Sequence, residues 1–505
     1  MKNQPIIQLI FPCIIFFVLS GELKGQDSYD TLKQAQYLSE QRGTKEALAL
    51  LSGYHQDHPK DLYTNWIYAQ TAYKAGNFRL SKELYLAAIE ISPDNAGLQL
   101  EFAKSLLSRG DIDKAGEYIK HCTALDGNNP EPWYYLASID YWKGDYNKAL
   151  TLVNNLLIHV PDYKPASKLK DEILVQQSPW LSLDGNYSSD DQPMNMLNPV
   201  LKGGWSRSNL LGPDFEFRVP VSFQDSGNFT GIGFNAGNNF YFRKSDLRLY
   251  LNAGLFNHTS LGTVGWTADL KLTKILLNKM LLWAEFQRNP YLMTLSSLKI
   301  PLFENDLRIG FTWNDPDRWN GQVSVVNSTF STDNNNVVAI GGWVLAPKIN
   351  AGRFGFQFGY GYAYSTSAEN RFVPEKTLSE IISNWNDSTS VKGIYNPYFT
   401  PNDQNVHSVI ALINFRAAKS VNISLKINGG VYATAMYPYL YLDQNADDSL
   451  FIDRQYIHRT FHPLDISAGF TWQITNQWDL SAELIYNSTI YYTTKIAGIT
   501  LRKRL

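Results

Sequence analysis

Three clusters of reactive side chains could in principle do chemistry. His458 and His462 lie four residues apart, a spacing that on a helix would aim both imidazoles at one metal ion. They flank Arg459 and Phe461 at the start of a period-two segment, so strand geometry applies and the pair is not expected to bind metal. Asp443, Asp447, Asp448 and Asp453 gather in the stretch Asp443–Tyr456. Carboxylate oxygens suit calcium, yet this spacing departs from the EF-hand loop, and a solvated surface loop is expected instead. Ser408 follows His407 directly. Neighbours on a strand point to opposite sides, so the two cannot act as nucleophile and base on one face. No serine nucleophile elbow, Walker loop or zinc motif is present. The sequence therefore predicts no enzyme, no metal and no cofactor.

The elements that would carry any site change character near residue 180. Before it, apolar residues recur at helical spacing. After it, apolar and polar residues alternate with period two to the end. The 505 residues are 44% hydrophobic, 18% charged and 14% aromatic, with net charge −2. So little charge argues against disorder, and the balance gives no electrostatic case for nucleic acid.

Ile6–Leu19 is an apolar run with Lys2 before it and small Ser20 and Gly21 after. It is short for a spanning helix and reads as a secretory signal peptide over residues 1–25, cut between Ser20 and Gln26 and most simply at Gly25/Gln26. An uncleaved anchor is the alternative. Cys13 falls inside this run, leaving Cys122 alone in the mature chain and no internal disulfide. An exported chain without another long apolar run can cross a membrane only as a closed barrel, because unpaired backbone groups are too costly in lipid.

The helical half repeats. Pro59, Pro93, Gly127 and Pro161 are spaced by 34 residues, as are Gly76, Gly110 and Gly144, and Ala47, Ser81, Ala115 and Ala149. Aromatics precede the glycines at Trp66, Tyr73, Phe102, Trp133 and Tyr141, while Phe78, Ile112 and Tyr146 follow them. Small residues let two helices approach, glycine ends the first helix at positive φ, and proline stops the second. This pattern resembles the tetratricopeptide repeat, in four copies over residues 28–163, with Tyr163–Gln177 as a capping helix. The predicted domain is 28–177. Stacked repeats make a curved surface that binds partners. Trp66, Trp133 and Tyr134 are its candidate contact residues, with burial between helices as the plainer role.

The strand half begins at Trp180. In Leu247–Phe256 the apolar face is Leu247, Leu249, Leu251, Ala253 and Leu255, opposite Arg248, Tyr250, Asn252 and Gly254. Trp266–Thr273, Val421–Tyr432 and Leu464–Ile474 repeat the scheme, with Asp269, Lys271, Lys426, Asn428, Asp465 and Gln473 on polar faces. Segments of about ten residues, one face apolar and the other charged, fit tilted strands around a wet lumen. The 326 residues from Trp180 to Leu505 allow about 16 strands, or about 12 to 14 with longer loops. The fold class is thus α + β multidomain, a tetratricopeptide α-solenoid followed by an antiparallel transmembrane β-barrel over 180–505. The insertion Ser365–Asn405 interrupts the alternation, with helical spacing at Leu378, Ile381 and Ile382. It covers the mouth, enters the lumen or hangs free as an external loop.

A repeat scaffold joined to a barrel resembles the outer-membrane exporters of bacterial exopolysaccharides, and the cellulose synthase C family in particular. Gly393, Tyr395, Pro397, Tyr398, Phe399, Thr400 and Pro401 resemble that family's glycine–aromatic–Ser–Pro stretch, and Arg288, Pro290 and Ser296 its earlier Arg-x-Pro…Ser segment. The resemblance implies a passive outer-membrane channel for a polysaccharide chain. The repeats would lie in the periplasm and dock periplasmic or inner-membrane synthase proteins. Arg288, Tyr395, Tyr398 and Phe399 would line the glycan path. The barrel would contact outer-membrane lipid. The competing expectation is a binding scaffold anchored by a narrow or plugged barrel.

Overall fold

The computed structural model describes residues 24–41, 43–192, 194–223, 228–242, 245–277, 280–315, 318–383 and 390–505. The predicted signal peptide falls on residues 1–25, almost all outside this set. The chain divides into two compact units, Met1–Leu136 and Ala137–Leu505.

Nine helices occupy the N-terminal part of the described residues. They are α1 (Lys24–Glu40), α2 (Thr44–Asp57), α3 (Leu62–Lys74), α4 (Phe78–Ile91), α5 (Ala96–Ser108), α6 (Ile112–Leu125), α7 (Pro130–Trp142), α8 (Tyr146–His159) and α9 (Lys164–Gln177). The 34-residue glycines do what their spacing implies: Gly76, Gly110 and Gly144 sit at φ of 79°, 78° and 71°, each directly after the first helix of its hairpin. Asp61, Asn77 and Asn95 cap the helices that follow them by accepting from the backbone N–H three residues on. The repeated small residues Ala47, Ser81, Ala115 and Ala149 are all buried, and the Ser81 hydroxyl donates to the Ala69 carbonyl at 2.8 Å. Phe102 is 2% exposed between Tyr85 and Tyr118, at ring distances of 5.3 and 4.9 Å.

Cys122 is buried and its Sγ donates to the Ala96 carbonyl at 3.4 Å. Burial pushes this thiol up to about 11, so little thiolate exists at neutral pH. A maleimide is therefore expected to label the native chain at neutral pH far more slowly than the urea-unfolded chain. Equal rates would show that α5 does not cover this sulfur.

The second part is a closed antiparallel barrel of sixteen strands. These are β1 (Trp180–Asp190), β2 (Asn195–Gly204), β3 (Pro213–Arg218 and Val221–Phe223), β4 (Phe229–Phe242), β5 (Leu247–His258), β6 (Thr263–Leu277), β7 (Met280–Pro290) and β8 (Phe303–Trp313). The ring continues through β9 (Asn320–Phe330), β10 (Asn336–Leu345, prolonged by Ile349–Ala351), β11 (Phe354–Ser367), β12 (Gln404–Ala418), β13 (Val421–Gln444), β14 (Leu450–Phe461 and Leu464–Gln473), β15 (Trp478–Ser488) and β16 (Thr493–Arg504). It closes where β1 pairs with β16, from Trp180↔Arg504 to Asp190↔Thr494. No open edge is left in the wall.

Register assigns every side chain to one of two faces. Leu183, Leu201, Phe217, Phe234, Leu255, Trp266, Leu282, Ile309, Val325, Ile340, Phe358, Val409, Ile423, Leu484 and Ile499 share the outward face and are exposed. Aromatics gather at both rims of that face. Phe242, Trp313, Phe354, Trp472 and Trp478 lie near the end where β1 starts, and Tyr187, Trp266, Tyr360, Tyr362 and Tyr486 lie toward the other. An apolar belt between two aromatic girdles is the surface a bilayer requires.

One expectation needs correction. The acidic stretch Asp443–Tyr456 is not a free loop. It is the tip of a long hairpin in which Ala433–Gln444 of β13 pairs with Leu450–Phe461 of β14. Tyr437, Tyr439 and Tyr441 alternate with Pro438, Leu440 and Leu442; Asp443 and Asp453 lie in the paired strands, while Asp447 and Asp448 lie in the exposed turn between them.

Candidate functional site

The inward face is polar and internally paired. Lys202 on β2 meets Asp184 on β1 at 2.9 Å and Glu216 on β3 at 3.8 Å. Lys271 on β6 reaches Glu285 on β7 at 3.5 Å, and Arg504 on β16 reaches Asp479 on β15 at 2.7 Å. Tyr250 donates to Asp214, Asn252 donates to Tyr250, and Ser467 donates to Glu483. Apart from Asn252–Tyr250, which runs along β5, these contacts run sideways from strand to strand at alternate positions, as the pleat dictates. They hold hydroxyls, amides and carboxylates against the wall of a cylinder. Near the end where β1 begins, a cavity of about 720 Å³ opens between Arg416, Asn422, Thr471, Asp479, Ser481 and Arg502.

The opposite mouth is filled. The described residues of the insertion between β11 and β12, 368–383 and 390–403, fold into a cap. Its ends are anchored side by side, because Ser365 pairs with Gln404 in the wall. Within it Phe372–Pro374 pairs with Gly393–Tyr395, and Ser390–Val391 pairs with Leu440–Tyr441 of the long hairpin. Phe372, Val391, Leu440 and Leu442 form a buried cluster joined by Leu378 and Ile381 from the short helix Leu378–Ser383. The helical spacing noted in the sequence is thus the cap's own core.

Two neighbouring residues of the cap touch opposite arcs of the ring. Tyr398 is fully buried, stacked on Phe330 at the end of β9 with ring centroids 3.5 Å apart, and edge-on to Tyr291 beyond β7. Its hydroxyl donates to Asp333, which also pairs with Arg371 at 2.9 Å. Phe399 packs against Tyr491 and Tyr492 in the β15–β16 turn, at ring distances of 4.4 and 6.0 Å. The Phe399 N–H donates to the Tyr291 hydroxyl at 3.2 Å. Strands β7 and β15 are half a ring apart in a sixteen-strand barrel, so Tyr398–Phe399 is the point where the two sides of the mouth meet.

A second segment helps. The β7–β8 connection carries Leu298, which clusters with Met194, Met196, Phe229, Phe256 and Phe303, and partly with Leu292 and Leu295. Beside the cap lies a cleft of about 460 Å³ whose walls include Tyr395, Tyr437, Tyr491 and Tyr492, with Asp191, Glu375 and Lys392 at its edges. Burial pushes the phenols of Tyr291 and Tyr395 above the usual tyrosine range, so both remain neutral hydrogen-bonding groups.

The four residues expected to line the glycan path separate into three that lie in the mouth and one that does not. Tyr395, Tyr398 and Phe399 come together in the cap. Arg288 does not join them. It pairs with Ala268 and Asn305 on the face of Leu282 and Trp266, donates to the Trp266 carbonyl at 3.3 Å and to Asn305, and lies 4.4 Å from the Trp266 ring. That is the outward face, so a chain in the lumen does not meet this guanidinium. Tyr291, Tyr437, Tyr491 and Tyr492 complete the mouth without any motif that marks them. The Tyr491–Tyr492 pair interrupting the alternation before the last strand is the one available signal.

On the repeats, Trp66, Trp133 and Tyr134 are half-buried, neither core nor free. The Trp66 indole donates to Glu101 at 2.6 Å, and the Trp133 indole to the Gly127 carbonyl at 3.0 Å. Each therefore spends its polar edge within the array and leaves part of a ring to solvent. Among the described residues no group of His, Cys, Asp and Glu is arranged to hold a metal, and no helix is long and apolar enough to cross a membrane.

A tetratricopeptide-repeat family model matches residues 106–173. No curated protein matches the chain. Among solved structures, one described as a bacterial polysaccharide outer membrane secretin aligns with 65% of this chain and 99% of its own, at 12% identity and a TM-score of 0.46. Pseudomonas aeruginosa pilF aligns with 30% of this chain and 69% of its own, at 14% identity and a TM-score of 0.27. YrrB, described as a TPR protein with an unusual peptide-binding site, aligns with 28% and 74%, at 14% identity and a TM-score of 0.26. These likenesses are remote. The class of the protein, a tetratricopeptide array with a sixteen-strand barrel, rests on the chain's own geometry and the repeat match.

Proposed function

We propose that the chain is an outer-membrane channel that exports an exopolysaccharide, with the cap as its exit gate. The observation that carries this reading is a closed cylinder, apolar outside and polar within, whose far mouth is bridged by Tyr398 and Phe399. The short turns lie at the end where β1 begins and the long connections at the other. That asymmetry is the outer-membrane pattern of periplasmic turns and external loops. On this reading the repeats lie in the periplasm, where Trp66, Trp133 and Tyr134 would offer half-open rings to synthase or export proteins.

Mechanically the channel is passive. A glycan chain has hydroxyls that exchange hydrogen bonds with amides and carboxylates along the wall, and ring faces that lie on tyrosines. Many weak and replaceable contacts permit sliding. At the mouth Tyr395 and Phe399, with Tyr437, Tyr491 and Tyr492, are the aromatic surfaces a departing chain would meet. Tyr398 stays inside its stack while the gate is shut. The cap also favours a second reading, an anchored scaffold whose barrel is permanently plugged.

The two separate in a planar bilayer. Gluco-oligosaccharides added to the cap-excised chain, on the side of the barrel where β1 begins, are expected to block ion current for longer as they lengthen. Polyethylene glycols of matching size should pass without lingering. Oligosaccharides that behave like the glycols would remove the export reading and leave the scaffold.

A further inference from the structure

The outward wall of β14, β15, β16 and β1 carries a recess that neither the lumen nor the cap uses. Register stacks two rows there. Nearest the far rim the row is Ile466, Tyr486, Lys495 and Ser189; the row below is Ala468, Leu484, Ala497 and Tyr187. Ala468 and Ala497 stand on either side of Leu484 and leave the wall hollow beside it. The result is a cavity of about 450 Å³ with walls that are carbon almost throughout. Tyr187 turns its hydroxyl away to Asn195, at 2.8 Å, and so presents its ring.

Lys495 stands at the upper end of this hollow, directly above Ala497 on the same strand and exposed. Among the described residues it has no carboxylate partner, in contrast to Lys202 and Lys271 of the lumen. A lone cation on a lipid-facing wall is tolerated only at headgroup depth. Its position two residues inside β16, between Tyr486 and Ser189, is that depth. An apolar hollow below and an unpaired ammonium above match the two halves of one kind of molecule.

We propose that this recess holds an acyl chain of a phosphate-bearing lipid in the far leaflet, with Lys495 against the phosphate. The assignment rests on the barrel spanning a membrane, which makes lipid the medium around this face. The phosphate follows from charge complementarity at Lys495.

The test uses the full chain, extracted in detergent, stripped of lipid and titrated with dimyristoyl phosphatidate or dimyristoyl phosphatidylcholine. Bound lipid is counted by native mass spectrometry. Wild type should favour the phosphatidate about fivefold, the effect of one lysine beside an anionic headgroup. Lys495→Gln should bind both lipids equally. Ala497→Leu, which fills the hollow, should lose both, whereas Val323→Leu on the opposite wall should lose neither. A preference that survives Lys495→Gln, retention of both lipids by Ala497→Leu, or displacement of the lipid by inorganic phosphate would each overturn the proposal. So would a dimer that Ala497→Leu dissolves, since a second copy would then fill the recess. A chain that needs no detergent would instead remove the membrane reading on which the proposal stands.

Discussion

Excising the cap, by joining Ser367 to Gln404 through a short turn, should raise the single-channel conductance of the barrel severalfold. The wall permits the deletion because Ser365 and Gln404 are already paired neighbours. What leaves is the bridge itself. Tyr398 is lost from its stack with Phe330 and Tyr291, and Phe399 from Tyr491 and Tyr492. The Arg371–Asp333 ion pair at 2.9 Å goes with them. The hairpin would then expose Leu440 and Leu442, now buried under the cap; replacing both with Thr keeps the shortened chain soluble in detergent without altering the lumen. Tyr398→Ala alone should give a smaller rise with frequent closures, since Phe399 still holds its own arc. Conductance that does not change on excision would place the constriction elsewhere, in the Leu292–Leu298 segment or lower in the lumen.

Replacing Phe102 with Ala should destabilise the repeat array by roughly 3–5 kcal/mol, the range for emptying a buried aromatic site. The ring is 2% exposed and touches both Tyr85 and Tyr118, so the cavity has rigid aromatic walls that cannot collapse into it. Each repeat leans on the next, and the loss should spread along the array instead of staying within α5. Urea titration of the full chain followed by helical circular dichroism reads it as an earlier midpoint, the barrel strands contributing little at that wavelength. Trp133→Ala provides the contrast. Its indole is half-buried and held by a single hydrogen bond to Gly127, so its midpoint should move much less. An equal shift in both variants would show that Trp133 is core after all, and would withdraw it from the proposed partner-binding face.

What can be read from the sequence is whatever repeats locally. Gly76, Gly110 and Gly144 need positive φ, and glycine supplies it in plain view. Leu247–Leu255 alternates because its two faces meet different surroundings, so the faces follow from counting, while the chain length alone allows about 16 strands or about 12 to 14. What stays hidden depends on contacts between distant segments. Tyr398 meets Asp333 and Tyr291 across more than sixty residues of chain, and no local pattern announces such a meeting. The insertion is visible as a break in alternation, while its position across the mouth is not. Arg288 shows the reverse error. A family-like segment draws it into the lumen, although simple alternation with Leu282, Ala284 and Phe286 already turns it outward. The aspartates of Asp443–Tyr456 similarly draw attention to a loop, although only the turn between Gln444 and Leu450 lies outside the paired strands.

Which face of the wall is wet decides every role assigned to the barrel. Single cysteines at Ser467, on the lumen face, and at Leu484, on the outward face of the adjacent strand, probe it directly in the chain reconstituted into lipid vesicles. A membrane-impermeant, water-soluble maleimide should label position 467 and spare 484, and a lipid-partitioning maleimide should do the opposite. Labelling of position 484 from water, with 467 protected, would contradict the cylinder and the export path through its lumen.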